Sequence, residues 1–270
     1  MMKNWTRAAA GAAIGLMAAA APAADAIVDA GLSTHYIWRG QIENDEPVFQ
    51  AGFGLSASNG LGLYAWMNTD LSDRTPTAEE DARDKPTEVD LTLSYKLPLK
   101  GKVGVEVGVN QYTYPHPRPA TGSTRDAYVK AALDAPLKPT VTVYYDFDEV
   151  DDFYGTLGLE QDWKLAEAWQ LALGASVGYA GARYDDYYFS VAPVAAAGGA
   201  AGQPGVDAGQ SAFNDATGQL KLTWQATENV SFSATALYSA LLDSTVREGA
   251  KQLYGDDHAL CGCVAMQWTF

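Results

Sequence analysis

Apolar and polar residues alternate one for one through most of the chain. Val103, Val105, Val107 and Val109 are interleaved with Gly104, Glu106, Gly108 and Asn110; Leu91, Leu93 and Tyr95 with Asp90, Thr92, Ser94 and Lys96; Leu220, Leu222 and Trp224 with Gln219, Lys221, Thr223 and Gln225. A period of two puts every apolar side chain of a strand on one face. The pattern predicts 12 strands, over 27–39, 47–57, 61–71, 87–97, 101–113, 126–135, 139–148, 153–163, 169–180, 216–226, 229–239 and 260–270. Each is about 10 residues long, the length a tilted strand needs to cross a bilayer.

The links between these strands alternate in length. Ser58-Asn59-Gly60, Pro98 to Lys100, Pro136 to Lys138, Lys164 to Ala168 and Thr227-Glu228 are short and turn-forming. Between them fall longer, more acidic links: Gln41 to Glu46, Ser72 to Pro86, Tyr114 to Arg125, Gly181 to Asp215 and Ala240 to Ala259, with Glu149 to Asp152 the short member of the set. The Ala- and Gly-rich stretch from Ala195 to Gln210 has no periodicity and is expected to be mobile or to fold back over a mouth. Short turns at one end, long loops at the other and an even strand number predict an all-β fold: a closed, antiparallel, up-and-down transmembrane β-barrel with periplasmic turns, extracellular loops and both termini in the periplasm.

A soluble β-sandwich also alternates, but it has no need of aromatic residues at the ends of so many strands. Tyr36, Trp38, Tyr145, Phe147, Trp163, Trp169, Tyr179, Trp224, Tyr238 and Trp268 all sit near predicted strand ends on the apolar parity, as two interfacial girdles would require. Lys3 and Arg7 precede an apolar run from Ala8 to Ala21 and the small residues Pro22 to Ala26, so residues 1–26 read as a signal peptide cut at Ala23 or Ala26, leaving 27–270 as one barrel domain. Cys261 and Cys263 are the two cysteines, too few for a disulfide framework and read as small wall residues. A net charge of −15 excludes nucleic acid as a partner.

The last ten residues, CGCVAMQWTF, place Val264, Met266, Trp268 and Phe270 on one parity and resemble the closing strand by which bacterial outer-membrane barrels are recognised by the barrel-assembly machinery. Upstream, Ser33, Tyr36, Arg39 and Gly40 in STHYIWRG, then Pro47, Gln50, Ala51 and Gly52, then Gly62, Tyr64 and Trp66 in GLGLYAWMNTDL resemble the opening of the TorF-family putative porins. Glu88, Asp90 and Leu91, Val107-Gly108 and Tyr112 to Pro115 look like the next block, so that the resemblance spans roughly residues 27 to 180. It implies an exported outer-membrane porin and carries no catalytic residue, metal or cofactor.

With the apolar parity in lipid, the opposite parity lines the lumen. The candidates there are Arg39, Tyr64, Trp66, Glu88, Asp90, Glu106, Lys130, Asp146, Glu160 and Lys221, accompanied by Asp29, His35, Gln50, Asn68, Asp70, Lys96, Asn110 and Tyr144. Both signs of charge in one cavity must pair across it or stay hydrated. Arg39 is expected to be a strut to Glu88, Asp90 or Glu106; Tyr64 and Trp66 offer a stacking surface or simply fill a small barrel. Acid gathers in the loops, at Glu43, Asp45 and Glu46, at Glu79, Glu80, Asp81 and Asp84, at Glu149, Asp151 and Asp152, and at Asp256 and Asp257. Such a mouth favours cations, or binds lipopolysaccharide through divalent ions. The expected function is a narrow, cation-preferring outer-membrane channel for small polar solutes. The alternatives are a closed structural or adhesive barrel and a lipid hydrolase using Ser33 and His35, whose luminal parity argues against a lipid substrate; His116 and His258 fall in predicted loops.

Overall fold

A computed structural model describes residues 24–72, 83–115, 122–195 and 202–270. Twelve strands close into an antiparallel barrel in which each pairs with its sequence neighbour and the first pairs with the last. They are β1 (Ala24–Ser33), β4 (Val48–Ala57), β5 (Leu61–Asp70), β6 (Pro86–Lys96), β7 (Val103–Thr113), β8 (Thr124–Leu133), β9 (Thr140–Asp146), β10 (Asp152–Ala166), β11 (Trp169–Ala180), β12 (Ala212–Gln225), β13 (Val230–Leu241) and β14 (His258–Thr269). Closure is carried by seven register pairs from Ile27↔Thr269 to Ser33↔Cys263. Ala26 and Phe270 exchange backbone hydrogen bonds of 2.8 and 2.9 Å at its foot. The exposed hydrogen-bonding edge that a terminal strand would leave is thereby removed.

Register assigns the two faces. Val264, Met266 and Trp268 lie beside Leu32, Ala30 and Val28 on one side and Ala234, Phe232 and Val230 on the other, and these apolar residues point outward. Tyr145, Phe147, Trp163, Trp169, Tyr179, Trp224, Tyr238 and Trp268 are exposed, near the two ends of the apolar band. An aromatic-edged apolar band of this kind is the surface of a transmembrane barrel.

The first predicted strand is interrupted. β1 stops at Ser33, and Tyr36–Trp38 (β2) and Gln41–Asn44 (β3) pair with each other as a separate hairpin. The predicted link 41–46 therefore contains a strand, and Tyr36 and Trp38 leave the expected girdle: Tyr36 is buried against Trp66, and Trp38 packs on Tyr112 and Tyr188. Arg39 and Gly40, at φ 48 and 82, form a two-residue turn with both central residues at positive φ, the geometry that matches strand twist. Gly40 is required there, since a Cβ would fall 2.6 Å from Leu241 Cδ2.

Two helices fill long links that the alternation pattern leaves blank. The first, α1 (Ala182–Phe189), follows β11; the second, α2 (Ser244–Leu253), is capped by Asp243, whose carboxylate accepts from the backbone N–H of Thr245 and Val246. They pack on each other and, with Val150, Tyr154, Ala208 and Leu241, form a buried apolar cluster at the loop end of the barrel. The interior core is thus a cap.

On the β4–β5 wall the interior is filled by large side chains over small ones. Tyr64 lies over Gly52 and donates to Asp29 Oδ2 at 2.8 Å. A Cβ at Gly52 would meet the Tyr64 hydroxyl at 2.0 Å. Gly52→Ala should therefore push Tyr64 off Asp29 and cost about 1–3 kcal/mol, read as a lowered thermal midpoint in detergent; unchanged stability would remove Tyr64 from the packing account of this wall.

Candidate functional site

The site is assembled around the hairpin tip. Because β1 ends three residues before Tyr36, the β2–β3 hairpin turns inward, and its tip carries Arg39 into the lumen beneath the cap. Arg39 Nη2 donates to Asp126 Oδ2 on β8 at 2.8 Å, with side-chain exposures of 10% and 1%. Tyr112 Oη donates to the same oxygen at 3.0 Å, and Asn110 Nδ2 to Asp126 Oδ1 at 2.7 Å. Aromatic rings enclose the guanidinium: its carbon stands 4.4 Å from the Trp38 ring centre, 4.3 Å from Tyr144, 4.8 Å from Tyr154 and 5.9 Å from Tyr184. Ion pair, hydrogen bonds and ring faces all favour the cation, offsetting its desolvation. The hairpin is held to the cap as well, where Tyr254 Oη donates to Gln41 Oε1 at 2.9 Å.

The expected partners of Arg39 are corrected by this arrangement. Its carboxylate is Asp126, because the tip reaches past β6 to the β7–β8 wall; Glu88 and Asp90 lie on β6, and the Glu106 Oε1 accepts instead from Tyr128 at 2.7 Å. Among the other sequence candidates, Tyr64 and Trp66 are wall-filling, Trp66 against Tyr36 at 5.5 Å. Glu88 is buried, and Asp90 faces Trp66 and Tyr112 across the strands. Lys130 stands opposite Glu106 and Thr142. Asp146 is held by β8 and by its own loop, accepting from Thr124 Oγ1 at 2.6 Å and from the N–H groups of Asp148, Glu149 and Val150. Glu160 pairs with Lys138 at 3.6 Å at the turn end, and Lys221 lies opposite Ala172 and Thr235. The sequence reading passed over Asp126, Tyr154, Tyr184 and Asp215, although Asp126, Tyr154 and Asp215 lie on inward-facing positions.

The opposite wall is lined by small residues. Beneath Arg39 lies a cavity of about 340 Å³ whose lining includes Tyr144, Tyr154, Asp215, Thr156, Ser176 and Thr217. A second cavity of about 250 Å³ extends toward the turn end past Gly158, Gly174, Gln219, Glu160 and Lys138. Both are bordered by Ser176 and Thr217, so they follow one wall of the lumen. The contrast between a filled β4–β8 wall and this β10–β12 wall leaves cavity space along one side of the lumen, with Arg39 in the lining of the cavity nearer the cap.

Other chemistry is accounted for by structure. Ser33 Oγ lies 3.0 Å from Cys261 Sγ, while His35 Nδ1 lies 2.9 Å from Thr34 Oγ1, so Ser33 and His35 do not face each other. Cys261 and Cys263 are free thiols. Asp256, Asp257 and His258 bring donor atoms within 4.8 Å of one another. Asp257 already accepts from Arg247 at 2.5 Å, Lys251 at 3.3 Å and His258 at 2.8 Å, and these contacts hold its carboxyl below the usual range against the opposing effect of burial. That network ties α2 to β14. His116, Glu79, Glu80 and Asp81 lie outside the described residues, as does nearly all of the expected signal peptide.

The barrel is similar to the KdgM porin, with a TM-score of 0.51 and 11% identity over 90% of this chain and 99% of that one. The NanC porin gives 0.48 and 12% over 91% and 99%, and LpxR from Salmonella typhimurium 0.49 and 8% over 90% and 99%. At these identities the likeness speaks to the fold. No curated protein matches the sequence. The model of a family described as bacterial protein of unknown function (Gcw_chp) matches residues 18–189, well over half of the chain, and the protein belongs to that family.

Proposed function

We propose that the protein is an outer-membrane channel for small polar solutes or ions, that it prefers cations, and that it is not an enzyme. The observation that carries this reading is the cavity space along the β10–β12 wall, bordered by the hydroxyls of Thr156, Ser176 and Thr217 and reaching Arg39. A transmembrane barrel whose lumen has room for water supports conduction, and charged groups around a narrow path set its selectivity. Asp215 and Glu88 near the loop end, together with a chain charge of −15, support the preference for cations. The resemblance to TorF-family porins falls inside the matched family region and agrees with this role. Lipid would cover the apolar band, lipopolysaccharide the loop end, and the strand ending in Phe270 would engage the assembly machinery. Removal of the leader at Ala23 keeps the Ala26–Phe270 pair intact, which supports that cleavage site over Ala26.

A non-conducting structural barrel is the second reading, favoured by the number of bonds that hold the cap and hairpin in place. Currents across planar bilayers separate the two. Discrete steps are expected, with a reversal potential under a KCl gradient of the sign that marks cation selectivity. Silence from the wild type and from a variant lacking residues 36–44 would sink the channel, and an anion-selective reversal potential would sink the charge preference.

A further inference from the structure

Most of the cage around Arg39 belongs to other elements. Asp126 and Tyr112 come from β8 and β7, Tyr144 and Tyr154 from β9 and β10, and Tyr184 from α1; from the hairpin itself comes Trp38. We infer that this cage is a guanidinium-binding site of the pore, filled in the closed state by Arg39 as a tethered occupant, and that the solutes it selects are small guanidinium cations.

The shape of the site is specific to that group. Ring faces at 4.3, 4.4 and 4.8 Å are stacking distances for a planar, weakly hydrated cation, while a carboxylate and a phenol hydroxyl meet its edge. An ammonium is more strongly hydrated and has no plane to stack, so a lysine-like cation suits the cage less well. A neutral planar amide would leave the Asp126 charge uncompensated.

The same contacts couple occupancy to release of the hairpin. Asp126 is 1% exposed, so withdrawing Arg39 with nothing in its place strands a buried carboxylate, which is strongly unfavourable. A free guanidinium entering as Arg39 leaves keeps that carboxylate paired in both states. The cavity of about 340 Å³ directly beneath the tip holds such a solute next to the cage, with Asp215 and the hydroxyls of Thr156, Ser176 and Thr217 around it. Selection of a guanidinium solute rests on the channel reading; binding at the cage does not.

The test titrates methylguanidinium into purified Arg39→Ala protein by calorimetry, with urea and tetramethylammonium as comparisons, and records wild-type currents with each cation. Saturable binding is expected for methylguanidinium, at least tenfold tighter than for either comparison, and lost in R39A/D126N. In bilayers methylguanidinium should raise the open fraction of the wild type, and tetramethylammonium should not. No saturable binding, or equal binding of urea, overturns the proposal; should R39A fail to fold, an open fraction unchanged by methylguanidinium does so. Binding with silent bilayers keeps the cage and discards the channel, while conduction without binding keeps the channel and discards the cage.

Discussion

Arg39→Ala should open the barrel and weaken it at once. The substitution removes the cation that Asp126, Tyr144, Tyr154 and Tyr184 surround, and leaves Asp126, at 1% exposure, with the neutral donors Tyr112 and Asn110 alone. Loss of one partner from a buried pair costs about 3–5 kcal/mol. Part of that strain falls on the cap, because the hairpin's remaining ties run both to the cap, as Gln41 to Tyr254 and Trp38 to Tyr188, and to the wall, as Tyr36 to Trp66. The expected readout is a lower thermal midpoint in detergent together with a larger open fraction in bilayers. Adding Asp126→Asn should recover part of the stability while leaving the pore open, since the stranded charge is gone but the tip remains unlatched. Two single substitutions whose effects simply add would deny the coupling, and a variant as closed and as stable as the wild type would deny that Arg39 is the latch.

How much of this was visible in the chain depends on which side of the wall a residue faces. Outward residues were legible because lipid demands an uninterrupted apolar set, and the period-two pattern from Val103 to Val109 or Leu220 to Trp224 maps directly onto β7 and β12. The β2–β3 hairpin was not, for the same reason in reverse. Tyr36 and Trp38 continue the alternation of β1, and an aromatic pair packed on Trp66 and Tyr112 inside a barrel has the same sequence pattern as one set in a membrane interface. The Arg39-Gly40 pair is the local sign of a turn there. Helix α1, ARYDDYYF, combines aromatic and acidic residues without an aliphatic stripe, because its core face is carried by Tyr184 and Phe189 with Asp185 between them. Helix α2 had the better sign in Asp243, a capping residue. Asp126 occupies an inward position like the other candidates, but period alone cannot say which inward carboxylate a folded-in loop will reach.

The docking of α1 should weaken as pH rises, through Asp185. This carboxyl is fully buried in the cap, and neither of its oxygens has a hydrogen-bond partner among the described residues. Three elements packed against α1 present a carboxylate toward Asp185, namely Asp243 at the start of α2, Asp152 on β10 and Asp215 on β12, while the β2–β3 hairpin, which also packs on α1, presents Arg39 to Tyr184. Burial first, and these three charges after it, push Asp185 up from 3.8 to about 8. A group that holds its proton more tightly when docked than when solvated favours docking fully below its solvated value. That advantage is lost progressively as pH rises from about 4 through about 8, since ionisation then strands a charge among charges. With one proton released on undocking, the undocked fraction should grow about tenfold per pH unit across that window. Hydrogen exchange of the α1 amides, corrected for intrinsic rates and followed from pH 5 to 8, measures this without reference to conduction. Asp185→Asn keeps the shape and removes the titration, so its corrected exchange should be slow and flat. A wild-type profile as flat as that of the variant, or a variant that keeps the slope, would place the pH response elsewhere than in the cap.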